Sequence, residues 1–190
     1  MKNRYGIDIW SDDNFFIEDG VVKVNYKPYP SLIKIVKDVR KQGFKGPLLL
    51  RFPHITKKQV KTLFNTFNAS IKEYDYKGKF NAVFPLKVNQ LPNFIHPLVA
   101  AGKKYNYGLE AGSKAELVIA MTYNNMGSPI TINGFKDKEM IHLCFIAKSM
   151  GHDITVIIEG LNELEMILEV LKETKMEAPN VGLRVRLHSG

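Results

Sequence analysis

PITINGFKDKEMIHLCFIAKSMGHDITVIIEG, residues 129–160, decides the fold. It opens on a short apolar run, PITINGF, and breaks at Asn133-Gly134. A helical pattern, DKEMIHLCFIAKSMGH, follows, and the stretch closes on a second apolar run, ITVIIEG. Apolar runs of this length without clean alternation are the pattern of strands buried on both faces of a parallel sheet. A strand, a helix and a strand joined by short connections make a βαβ unit.

The same rhythm extends in both directions. Downstream, LNELEMILEVLKETK (161–175) predicts a helix and NVGLRVRLHSG (180–190) a strand. Upstream, FNAVFPLKV (80–88) and YGLEAGS (107–113) predict strands, while LPNFIHPLVAAGKKY (91–105, interrupted by Pro97) and KAELVIAMTYNNM (114–126) predict helices. Earlier still, PLLLRF (47–52) is a short apolar run before a long helical pattern, ITKKQVKTLFNTFNASIKEY (55–74). Before Gly46 the pattern differs. IDIWSDDNFFIEDGVVKVNY (7–26) predicts short strands, with Asp19-Gly20 as a hairpin turn. SLIKIVKDVRKQG (31–43) predicts an amphipathic helix capped by Ser31, with Leu32, Ile35, Val36 and Val39 on one face.

The fold class is therefore α/β. Repeats of roughly 20 to 25 residues suit a (β/α)8 TIM barrel, whose full length is about 250 residues. The 190 residues supply only five or six units. The expectation is an incomplete (β/α)8 barrel over 46–190, truncated at its C-terminus. A short N-terminal β-hairpin and helix segment over 1–45 precedes it. Such a piece leaves sheet edges and apolar helix faces uncovered, and self-association is expected of it alone.

Composition limits the function classes. Apolar residues make up 45 % and charged residues 24 %, ordinary for a globular protein. No apolar stretch approaches the roughly 18 residues needed to span a bilayer, and no secretory signal opens the chain. The single cysteine, Cys144, sits in HLCFIA as a buried helix face and makes no internal disulfide. A reducing, cytoplasmic setting is expected. The net charge of +8 is dispersed along helix faces, with no reader motif for nucleic acid, so neither nucleic acid nor membrane is expected as a partner.

In a parallel α/β protein the site lies at the carboxyl ends of the strands. Those ends carry Lys87, Glu110, Asn133, Glu159, Arg184 and His188, with Arg186 two residues past Arg184. Asn133 and Gly134 serve equally as turn formers, and Glu159 as a favourable charge at a helix start. Arg184 and Arg186 face one way along a strand and need an anionic partner, for which Glu110 is the candidate. Lys87 stands behind Val83, Phe84, Pro85 and Leu86. A lysine held between apolar walls has its ammonium form disfavoured, and the free amine that results condenses with an aldehyde. A surface or structural lysine is the alternative.

YGIDIW, FPLKVNQ around Lys87, GLEAGSKAEL (108–117), INGFKDKE (132–139) and GLRVRL (182–187) together resemble the biosynthetic arginine decarboxylases of bacteria, from about Arg4 to Gly190. The resemblance implies a pyridoxal-phosphate enzyme of the alanine-racemase-like, ornithine-decarboxylase-like fold. It implies that Lys87 bears the cofactor as a Schiff base, that Glu110 and Arg184 lie beside it, and that Glu116 matches a second acidic position. Asn133 and His188 are further candidates. L-arginine is the implied substrate and agmatine, a polyamine precursor, the product. Magnesium dependence and homo-oligomerisation of the full-length enzyme, as dimer or tetramer, are likewise implied. The phosphate-binding loops, the acid facing the pyridine nitrogen and the cysteine-bearing loop of that family are expected after Gly190, so the piece by itself is expected to be inactive. A diaminopimelate, ornithine or lysine decarboxylase, or a non-catalytic pyridoxal-phosphate barrel, is the rival reading.

Overall fold

A computed structural model describes residues 6–185 and Leu187. His188 and Arg186, both singled out above, lie outside the described residues. The chain divides into two compact units, which meet at Ile55-Thr56 in the first turns of a helix.

The first unit begins with a difference from expectation. Ile7–Trp10 forms a single helical turn, α1, rather than a strand. Gly6 adopts φ 60°, its carbonyl accepts the N–H groups of Ile9 and Trp10, and Asp12 and Asp13 then also take positive φ. A segment turning that tightly has no extended backbone to pair. The hairpin follows as expected: β1 (Phe15–Glu18) pairs antiparallel with β2 (Val21–Val24) across Asp19-Gly20, both at positive φ. Lys23 and Glu18 form an ion pair on it. Helix α2 (Leu32–Lys41) starts at Ser31, whose hydroxyl accepts the Lys34 N–H at 3.2 Å. Its half-buried positions are Leu32, Ile35, Val36 and Val39, the predicted stripe. Leu48–Phe52 is not a strand, and Leu49 is exposed. An apolar run takes strand geometry only where a neighbour offers it hydrogen bonds.

The second unit continues α3 (Pro53–Glu73) into a regular alternation: β3 (Val83–Pro85), α4 (Pro92–Gly102), β4 (Gly108–Ala111), α5 (Lys114–Tyr123), β5 (Pro129–Ile132), α6 (Lys138–Ser149), β6 (Asp153–Ile158), α7 (Leu161–Thr174) and β7 (Asn180–Leu183). The five strands are parallel, and their order in the sheet is their order in the chain. A doubly wound sheet reverses direction somewhere along its width; this one does not, as in part of an α/β barrel. Helix α4 runs through Pro97. Serine caps α5 and aspartate caps α6: Ser113 accepts from Glu116, and Asp137 accepts from Met140. Among the described residues no helix is long and apolar enough to cross a membrane.

The core lies between sheet and helices, built from Leu109, Ile130, Ile132, Ile154 and Val156 on the strands, Leu86 just past β3, and Ile95, Leu117, Ile141, Cys144 and Phe145 on the helices. Cys144 has no exposed surface, as HLCFIA predicts. Burial pushes its thiol up to about 12, against a smaller opposite pull from Lys136. Thiolate is the reactive form, so at pH 8 the population available to an alkylating reagent is on the order of a thousandfold below that of a free cysteine. Native protein is therefore expected to take up iodoacetamide at least about a hundredfold more slowly than the urea-unfolded chain. Equal rates measured by mass spectrometry contradict the packing of α6.

Candidate functional site

The carboxyl ends of β3, β4, β5 and β7 surround a cleft of about 180 Å³. Lys87, Glu110, Glu116, Asn133 and Arg184 all line it, while Glu159, at the end of β6, does not line it itself. The lining residues arrive from four strand ends, Glu110 and Glu116 both from the β4–α5 unit. Strand β3 is only three residues long, and one further ladder bond, Leu86 N–H to the Glu110 carbonyl at 2.9 Å, holds its end. The chain then turns, with Val88 N–H donating to Pro85 O at 3.0 Å, and Lys87 stands in that turn.

This placement corrects the burial expected for Lys87. Its side chain is exposed, because the backbone leaves the sheet at Pro85 and the apolar residues before it are themselves only half-buried, apart from Leu86. What the turn supplies is access: Lys87 is exposed and lines the cleft rather than the core.

Glu110 is half-buried at the end of β4, level with Pro85 on one side and Thr131 on the other. It is not the partner of Arg184, which is the second correction. Arg184 Nη1 meets Glu159 Oε1 at 3.0 Å. The register explains it. Leu183 pairs with Ile158, and Arg184 N–H donates to the Ile158 carbonyl, so Glu159 and Arg184 are cross-strand neighbours. Glu110 stands three strand spacings away, each about 4.8 Å.

Glu116 has a structural role: its Oε2 accepts the Gly112 N–H at 2.7 Å while its own N–H bonds to Ser113 Oγ at 3.2 Å. This reciprocal pair is close to a capping box and fixes the turn between β4 and α5. Gly134 takes φ 125°, a conformation that disfavours any side chain, and a Cβ there would lie 3.2 Å from the Gly112 carbonyl. The two glycines thus let adjacent strand ends approach closely. Asn133 Oδ1 is buried and has no hydrogen-bond partner among the described residues. On the outer side, Lys114 Nζ bridges Asp137 at 2.8 Å and Glu139 at 2.7 Å, tying the starts of α5 and α6 together. The Asp137 hydrogen bond holds the Lys114 ammonium above its ordinary range, and the same bond holds the Asp137 carboxyl below its own.

Sequence reasoning missed Lys136 and Glu163. They form a buried ion pair at 3.2 Å beneath the cleft, with no exposed surface on the Lys136 side chain and 7 % on that of Glu163. The only advance signal was an acid at the third position of a helix after Gly160, where it reaches back to a free N–H. Among the described residues no group of three or more His, Cys, Asp or Glu is arranged to hold a metal ion.

Comparison with known proteins places these motifs in context. No family model matches the chain. It is similar to the biosynthetic arginine decarboxylase of Citrifermentans bemidjiense, 40 % identical over 193 residues, covering 97 % of this chain and 30 % of the relative. That of Pseudomonas aeruginosa is 35 % identical over 194 residues, covering 99 % and 30 %. Among solved structures, the biosynthetic arginine decarboxylase SpeA of Campylobacter jejuni superposes with a TM-score of 0.94 at 60 % identity, over 97 % of this chain and 31 % of that one. The chain spans about 30 % of the length of the curated relatives it matches. The resemblance drawn from the quoted motifs holds along nearly its whole length.

Proposed function

We propose that this chain, similar over nearly all its length to part of the biosynthetic arginine decarboxylases, supplies the cofactor-attachment face of an enzyme that converts L-arginine to agmatine and carbon dioxide. The finer fold belongs to the same reading: a pyridoxal-phosphate (β/α)8 barrel of the alanine-racemase-like type, of which the sheet here is a part. One observation carries it. Lys87, Glu110 and Arg184 come from three separate strand ends and line one cleft.

The residues present fit pyridoxal phosphate. The cleft has a solvent-accessible amine, an arginine at its edge, and a buried acceptor, Asn133 Oδ1, that no described donor satisfies. When bound, the cofactor supplies an aldehyde carbon for attachment and a ring that accepts electrons as carbon dioxide departs. Lys87 would hold the aldehyde through Nζ, and the turn at 86–88 sets where that atom stands. Glu110 places a carboxylate on the neighbouring strand end, a group able to orient a cationic edge or hold a proton. Arg184 is held in place by Glu159 and presents its guanidinium at the far side. Magnesium fits no cluster among the described residues, and no step is assigned to it. Cytoplasmic residence and homo-oligomers of the full-length enzyme complete the proposal.

Titrating the protein with pyridoxal phosphate is expected to raise a new absorption band at longer wavelength than the free cofactor. Lys87→Ala is expected to abolish it, with unfolding cooperativity unchanged because the side chain is exposed. Equal bands from parent and variant mean that scattered surface lysines react, and the reading fails. In the complete enzyme the same variant is expected to release no measurable carbon dioxide from arginine.

A further inference from the structure

Beneath the cleft the Lys136–Glu163 pair leaves none of its polar atoms idle. Lys136 Nζ lies 3.2 Å from Glu163 Oε1 and also donates to the Gly134 carbonyl. Glu163 Oε2 accepts the Glu159 N–H at 2.8 Å. Glu159 in turn holds Arg184 at 3.0 Å. One ion pair, sealed from solvent, therefore connects the connection after β5, the first turn of α7, the end of β6 and the residue that follows β7. Two of its contacts are to main-chain atoms of residues at or beside the cleft. Gly134 also sits against Gly112, where a Cβ would come within 3.2 Å of the Gly112 carbonyl, so its placement passes on to the β4 end.

Burying two charges is costly, and an apolar pair of similar volume often holds a fold as well or better. An apolar pair cannot, however, direct a carbonyl and an N–H. We infer that Lys136 and Glu163 are positioning residues: they fix the Gly134 carbonyl and the Glu159 main chain, and through them Asn133 and Arg184, where the cleft grips pyridoxal phosphate. This inference rests on the cofactor reading above. The Lys136 amine, fully enclosed, is not a second attachment point.

The test is the double variant Lys136→Met/Glu163→Leu in the whole polypeptide, which removes both charges and leaves no unpaired ion. Two readouts are taken. Amide hydrogen exchange without cofactor is expected to quicken at least about tenfold at Glu159 and residues 131–135, while the centres of β4 and β6 keep their protection. The pyridoxal-phosphate dissociation constant, from the absorption titration, is expected to rise about tenfold, the lower end of what losing supporting hydrogen bonds does to a bound group. Glu163→Gln, closer in shape, carries the same readouts with smaller shifts in the same direction should the double variant not fold. Unchanged exchange at the rim, or unchanged affinity alongside altered exchange, overturns the inference. If Lys87→Ala binds cofactor as the parent does, the cofactor reading falls instead, and the exchange result alone decides whether the pair positions the rim.

Discussion

Glu163→Leu alone is expected to lower the unfolding free energy by about 3–5 kcal/mol, the cost of a buried charge stripped of its partner. Lys136 keeps no exposed surface through which water reaches its ammonium, and after the substitution it still donates to the Gly134 carbonyl but has lost its carboxylate. The Glu159 N–H loses its acceptor as well. Restoring balance by adding Lys136→Met is expected to recover most of the loss, since the double variant has no ion to bury. The exposed network on the outer helices gives the contrast. Lys138 bridges Glu169 and Glu173 with both acids more than half exposed, and Glu173→Ala is expected to change stability by no more than about 0.5 kcal/mol. Urea denaturation of the three variants beside the parent separates the cases. A loss below about 1 kcal/mol in the Glu163→Leu single variant means that the ammonium finds water, and the buried pair is then misdescribed.

The order of elements was legible because each strand is a short apolar run and each is followed by a longer helical pattern. Ser31, the one cap read from the sequence, accepts the N–H bond its position announces, and the structure adds Ser113 and Asp137 in the same role. The convergence of Lys87, Glu110 and Arg184 followed from one rule, that strand ends of a parallel sheet share a face. What failed was environment. Hydrophobic neighbours in sequence do not bury a residue if the chain leaves the sheet beneath it, as it does at Pro85, and so Lys87 is exposed. Partner choice failed for a related reason. Arg184 takes the acid nearest across the ladder, Glu159, and strand order had to be known before that neighbour was visible. Lys136 was hidden because a lysine between a turn glycine and a helix cap looks like any solvated lysine. Its burial is a property of the α7 turn packed over it, which no local pattern encodes.

Gly108→Ala is expected to be at least as damaging, at about 3 kcal/mol or more, and it bears on the platform that carries the site. Gly108 opens β4 beside Val83 of β3 and donates its N–H to the Ala82 carbonyl at 3.0 Å. A Cβ there would fall 1.9 Å from the Pro129 carbonyl oxygen and 2.8 Å from its carbon, where β5 begins. The obstacle is main chain in a neighbouring parallel strand, so no rotamer change relieves it. Overpacking against mobile side chains costs about 1–3 kcal/mol, and immovable backbone puts this case at or beyond the upper end. The strain must part β4 from β5 at the amino end of the sheet. The carboxyl ends that hold Glu110 and Asn133 are then displaced on the same two strands. Gly46, with nothing within 4 Å of a built Cβ, is the control: Gly46→Ala is expected to be neutral, or to stabilise by about 0.4–1 kcal/mol through a less free unfolded chain. Chemical denaturation of both variants, with pyridoxal-phosphate titration of whatever fraction remains folded, measures the effect. Should Gly108→Ala unfold within 0.5 kcal/mol of the parent, roughly the spread of ordinary surface substitutions, the two strands are not as close as described and the alignment of the site's strand ends must be redrawn.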